Sequence, residues 1–263
     1  MNVHNRNLGR VLVLAFASVA SAAWADSLTV QNTGASAAMG GVYTSPYGIA
    51  VNGTPTLLIC DDFETDISLG YTWSASPVTL TQIDSSTVAG LKFASSPYSS
   101  AILGGASNVV EDYATAAVLA AELLTLPNVG TGAENAETAG VLSYAIWSVF
   151  DSSLGTSLNS NGSTGYGSLN TTQVAAVNAA IANAENLASG ATVGGTTTLS
   201  NISVNGQTLD GLTVYTPNPL AASQEFLQVQ MPEPGYPMML GLELLGAAGV
   251  ILAFRRRRSQ TKA

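Results

Sequence analysis

The hydrophobic pattern of this chain changes character four times. From Ser27 to Ser76 it reads as strands and turns. "VYTSPYGIAVNGTPTLLICDDF" sets Asn52-Gly53 between two β-prone runs, a strong short hairpin signal, and puts Cys60 near the end of the second strand. "DISLGYTWSA" supplies another strand carrying Tyr71 and Trp73. The middle is helical. "EDYATAAVLAAELLTLP" opens with two acids, which suit the positive end of a helix dipole, and stops at Pro127. "AENAETAGVLSYAIWSVFD" also opens with acids and is apolar nearly all round from Val141 to Phe150, as a central buried helix would be. "NTTQVAAVNAAIANAENLASG" has Asn170 and Gln173 at capping-box spacing, an apolar stripe at Val174, Val177, Ile181, Ala184 and Ala188, and a stop at Gly190. The polar stretch "SSLGTSLNSNGSTGYGS" before it reads as a loop. After Gly195 strand character returns in "TTTLSNISVNGQTLDGLTVYTP" and "QEFLQVQ", with Asn205-Gly206 as a second hairpin signal. Strands, helices, then strands predict an α+β body that is β-rich, its N- and C-terminal strands pairing around a helical insertion.

The two ends follow different patterns. "MNVHNRNLGRVLVLAFASVASAAWADS" has a cationic start, an apolar stretch from Val11 to Ala20 and small residues at Ala23 and Ala25. This predicts a secretory signal over 1–25, cut before Asp26 by signal peptidase after passage through the Sec translocon. At the other end, Pro237 to Phe254 carries only one charge, Glu243, close to the ~20 apolar residues that cross a bilayer core. Leu, Ile, Phe and Val each favour insertion by roughly 0.3–0.6 kcal/mol, whereas a central charge opposes it by about 2.5–3.5 kcal/mol. The apolar residues of this span therefore only just offset Glu243, which predicts a single, marginal transmembrane helix. Arg255 to Arg258 would stay on the cytoplasmic side. The organisation expected is signal peptide 1–25, exported body 26–230, terminal signal 231–258 and cytoplasmic tail 259–263.

Charge narrows the function. Fifteen of the seventeen acids lie in the body against one cation, Lys92, giving the body net −14. Such a surface repels phosphates, which excludes electrostatic binding of nucleic acid. The only histidine, His4, lies in the signal peptide, so a processed chain has no His-based triad or His metal site. Cys60 is the only cysteine, so it forms no internal disulfide.

The order Pro232-Glu233-Pro234, apolar span, then Arg255, Arg256, Arg257 and Arg258 resembles the PEP-CTERM sorting signal of Gram-negative bacteria that make exopolysaccharide. The resemblance implies exosortase as the processing partner and a destination at the cell surface or in the extracellular polysaccharide of a biofilm matrix. A second, more distant resemblance covers about a hundred residues: "ICDDF" and "SYAIWSVFD" are similar to the thioester domains of Gram-positive adhesins. In those domains a cysteine in a C-φ-[DE] context bonds to a glutamine two residues before A-I-W. The matching positions here are Cys60, Asp62 and Ala145-Ile146-Trp147, and the glutamine position is Ser143. A serine has no carboxamide, so the resemblance implies the fold without the thioester, with Tyr144 and Trp147 packing under the cysteine strand.

Asp61, Asp62, Glu64 and Asp66 are the one dense set of hard oxygen ligands. On a strand, Asp62, Glu64 and Asp66 would share a face and would suit Ca²⁺, the only cofactor the chain suggests; the competing expectation is a solvated acidic edge. Paired carboxylates, with this cluster facing Asp112 or Asp151 and Tyr71, Trp73 or Trp147 holding a sugar, would instead describe a secreted carbohydrate-acting enzyme. The expectation drawn from the chain is a non-enzymatic exported protein of the cell surface or polysaccharide matrix.

Overall fold

Asn52 (φ 50°) and Gly53 (φ 82°) both adopt the left-handed conformation that a two-residue hairpin turn demands. The computed structural model describes residues 25–231, apart from 33–34, 41, 85–89, 96–97, 99–108, 128, 130–135, 152–153, 155–168, 194–195 and 198–200. In chain order the elements are β1 (Asp26–Asn32), β2 (Ala35–Met39), β3 (Val42–Thr44), β4 (Tyr47–Val51), β5 (Thr54–Cys60), β6 (Thr72–Thr79), α1 (Leu80–Asp84), α2 (Val109–Leu124), α3 (Ala136–Phe150), α4 (Thr171–Ala191), β7 (Thr192–Val193), β8 (Thr196–Thr197), β9 (Ser203–Val204), β10 (Gln207–Thr208), β11 (Gly211–Pro217) and β12 (Phe226–Gln230). Six strands close into an antiparallel barrel in the order β1-β4-β5-β12-β11-β6. The fold is α+β and β-rich, with the last two strands of the chain inserted between β5 and β6.

Alternation explains how one barrel serves two cores. Leu28 and Val30 of β1, Tyr47 and Ile49 of β4, Leu58 and Cys60 of β5, Trp73 and Ala75 of β6, Tyr215 and Phe226 form one buried cluster, spaced by two along each strand. Their opposite-facing neighbours Ile59, Val214, Leu212, Leu227 and Val229 belong to a second cluster with α2, α3 and α4. The wall made of β5, β12 and β11 thus buries apolar residues on both faces, because helices cover its outside. Helix α3 is buried from Leu142 through Phe150, as its all-round apolar pattern requires. At the start of α4 the amide of Asn170 donates to Gln173 Oε1 and that of Gln173 to Asn170 Oδ1, both at 2.9 Å, which is the predicted capping box. Val174, Val177, Ala184 and Ala188 are buried beneath it. Asn205 (φ 51°) and Gly206 (φ 81°) turn the second predicted hairpin, β9 to β10.

Two expectations are corrected. The strand read over 66–75 begins only at Thr72, because the chain leaves the sheet after Cys60. Asp62 Oδ1 accepts the amide hydrogen of Glu64 at 3.1 Å, an Asx turn that takes this donor out of any ladder. Short helix α1 was not foreseen; the amide of Thr79 and its hydroxyl both donate to Gln82 Oε1, at 2.8 and 2.9 Å, and fasten its first turn. Among the described residues no helix is long and apolar enough to cross a membrane. The predicted signal peptide, the polar loop over 155–168 and the span from Pro237 to Phe254 lie outside the described residues, as do Pro232, Glu233, Pro234 and Arg255 to Arg258.

Candidate functional site at the end of the cysteine strand

The pairing of β12 with β5 sets Phe226 opposite Cys60, and continuing that antiparallel register by one residue brings Glu225 to Asp61. Both side chains are fully buried. Glu225 Oε1 accepts the Tyr113 hydroxyl, and Oε2 accepts the Thr216 hydroxyl and the Lys92 amide, the last at 3.0 Å. These donors favour a charged Glu225, yet burial outweighs them and raises its pKa. Burial first, then the Glu225 charge, pushes the Asp61 carboxyl well above the ordinary carboxylate range. Two adjoining carboxyls in a dry site do not both ionise readily, and burial beside Glu225 favours the protonated form of Asp61. The Tyr113 hydroxyl is likewise raised by burial and by Glu225.

Next to this pair Lys92 Nζ bonds Asp62 Oδ2 in an ion pair whose two side chains are each 1% exposed. Nζ also donates to Thr65 Oγ1 at 2.9 Å and to the Ser223 carbonyl at 3.2 Å, and it sits 4.9 Å from the centre of the Tyr98 ring. Gln224 Nε2 donates to the Asp62 carbonyl at 3.1 Å. The expected acidic face is therefore not built. Asp62 points into the protein to Lys92, while Glu64 and Asp66 are exposed, and no strand runs through them to bring the three onto one side. Among the described residues no group of three or more His, Cys, Asp or Glu side chains is placed to hold a metal ion. A solvated edge describes only half of the cluster, since Asp61 and Asp62 are buried. Glu64 instead meets Asp151: though the side chain is largely exposed, its partial desolvation and then the Asp151 charge and hydrogen bond raise its pKa. Of the aromatics considered for a sugar, Trp147 and Trp73 are buried in the two cores, and Tyr71 stacks on Trp73 with ring centres 5.8 Å apart.

Cys60 closes β5 inside the barrel. Its thiol donates to the Asp62 carbonyl at 3.2 Å, and its amide donates to Ser45 Oγ at 3.0 Å. The Ser45 amide in turn donates to Ser143 Oγ at 3.0 Å, and that hydroxyl donates back to the Ala139 carbonyl at 2.9 Å. A single residue thus bridges Cys60 and Ser143, from the end of a barrel strand to the middle of α3. Phe63 packs on Trp147 (5.1 Å) and on Tyr144 (6.1 Å) just beyond the cysteine. Burial, with Asp62 and Asp61 adding, holds the thiol well above its usual range, so it is neutral and unreactive here.

Sequence reading missed Lys92, Tyr113, Thr216 and Glu225 as members of this centre. One signal was available: an acid directly before an apolar strand end, Glu225-Phe226, mirrors Cys60-Asp61 once the two strands are paired. Away from the centre, Ser76, Pro77, Val78, Gln82, Pro217 and Leu220 help to line an open groove of about 670 Å³. Comparison with protein-family models, curated proteins and solved structures found no match to the chain.

Proposed function

We propose that this is a non-enzymatic, exported protein of the cell surface or extracellular polysaccharide matrix, held briefly in the inner membrane and released by exosortase. The observation that carries the reading is the order Pro232-Glu233-Pro234, apolar span, Arg255 to Arg258, in a chain whose first 25 residues have the pattern expected of a secretory signal. Proline supplies no amide hydrogen and disfavours helix in the residue before it, so the Pro232-Glu233-Pro234 sequence favours the extended form that a protease substrate must take. β12, the last barrel strand, ends at Gln230, so a cut near Pro232 to Pro234 would leave every barrel strand intact. The enclosure of Asp61, Asp62, Lys92 and Glu225 also favours a structural role over catalysis, since substrate has no access to them.

Fractionation tests this directly. In a strain with exosortase the body should be found outside the inner membrane, ending near Pro234, and in an exosortase deletion it should stay in the membrane fraction. Glu233→Ala should give the same uncleaved precursor. An extracellular form that retains Phe254 and the arginines would refute the sorting reading. The competing function, a carbohydrate-acting enzyme, is favoured only by the contact of Glu64 with Asp151; glycan hydrolysis lost in Glu64→Gln would establish it.

A further inference from the structure

Lys92 is the one cation of the body, and it is fully buried. A lone lysine in a strongly acidic body would be best placed at the surface, where its charge is hydrated. Enclosing an ammonium and a carboxylate costs several kcal/mol per ion before their attraction is counted. The ion pair is also held in a fixed arrangement. Nζ lies against Asp62 Oδ2, while Asp62 Oδ1 accepts the amide hydrogen of Glu64 at 3.1 Å, so the two carboxylate oxygens have different partners. Thr65 Oγ1 at 2.9 Å and the Ser223 carbonyl at 3.2 Å fix the direction of the amine.

We propose that Lys92 Nζ and Asp62 Cγ join as an intramolecular amide, a covalent strap between the turn after β5 and the segment that follows α1. The step is a condensation. Nζ gives a proton to Oδ2 and attacks Cγ; the negative charge then gathers on Oδ1, where the Glu64 amide hydrogen holds it. A second proton passes from nitrogen to Oδ2, the Cγ–Oδ2 bond breaks, and water leaves. The third hydrogen of the ammonium stays on the amide nitrogen, Oδ1 becomes the amide carbonyl, and no oxidant, reductant or other reactant takes part. Two forces drive it. Well-oriented neighbours react as if at effective concentrations of roughly 10⁵–10⁸ M. The product also replaces two buried charges with a neutral group that keeps hydrogen bonds to Glu64 and to Ser223 or Thr65, which removes the desolvation cost.

The test is mass spectrometry of the full chain from its producing cells, with a non-tryptic digest. The wild type should be lighter than its sequence by one water, and the digest should contain a branched peptide joining Asp62 to Lys92. Comparison with Lys92→Arg, which keeps the cation but has no primary amine, cancels any processing at the chain ends. Asp62→Asn should close the same bond with loss of ammonia and reach the wild-type mass. A wild type with no mass deficit overturns the proposal. So does a water deficit that maps elsewhere, for instance to a cyclised Asp210-Gly211. The wild-type digest decides by itself if a variant fails to fold.

Discussion

Asp61 and Glu225 make stability depend on pH in a direction opposite to that of ordinary paired carboxylates. The folded pKa of each is raised, so the contribution of their protonated forms to stability is fully present below the unfolded carboxyl range and is lost as pH rises through the folded values. Asp61→Asn puts a neutral side chain of the same shape beside Glu225, with no proton to lose. The variant should therefore gain on the wild type as pH rises, with urea midpoints diverging above the ordinary carboxyl range. Parallel curves would mean that burial does not raise the Asp61 carboxyl. Cys60 gives a second prediction at this scale. Buried, neutral and hydrogen-bonded to the Asp62 carbonyl, it should resist a thiol reagent in the native protein and take up one equivalent after unfolding. Loss of ammonia together with a blocked thiol would point to a thioester formed with a glutamine elsewhere in the chain.

Among the elements, α3 is positioned by close approach rather than by charge. A Cβ added at Gly140 would collide with Met39 at both its sulfur and its Cβ, so the helix can lie against β2 only because position 140 has no side chain. Gly140→Ala should separate helix and strand and cost about 1–3 kcal/mol, as overpacking does, even though alanine is the better helix former. Urea denaturation measures this; a stabilised variant would show that Met39 moves aside freely. Tyr144 should report the same disturbance, since its hydroxyl donates to the Met39 carbonyl at 3.2 Å and burial pushes its pKa up to about 12.

For the molecule as a whole, the dominant electrostatic fact is a body of net −14 whose one cation is spent in the interior. The surface has no fixed positive partner in the body, so the remaining acids repel one another and dissolved cations must screen them. The thermal midpoint should rise when NaCl is taken from about 10 mM to 150 mM, as the screening length falls from about 30 to 8 Å. A midpoint that is flat or falls with salt would mean that repulsion contributes little. Calcium titration belongs to the same scale: with Asp62 turned to Lys92, weak and diffuse uptake is expected, not a single saturable site removed by Asp62→Ala.

The sequence by itself determined what depends on neighbours within one or two turns of chain. Asn52-Gly53 and Asn205-Gly206 specify left-handed turns, Asn170 and Gln173 cap a helix, and the nearly all-round apolar stretch from Val141 to Phe150 reads as a buried helix. The sequence also determined the charge balance and the separation of strands from helices. Only the tertiary structure decided which strands pair, because the short runs of β12 and β5 carry no local signal for their mutual register, and the one adopted sets the partner of Asp61. Asp62 and Lys92 were equally illegible. Their segments have no regular period, and the meaning of each charge came from burial beside a group thirty residues away. An acid reads as solvated in sequence because most acids are; the closed barrel and its helical cover removed the water, and the remaining charges had to find one another.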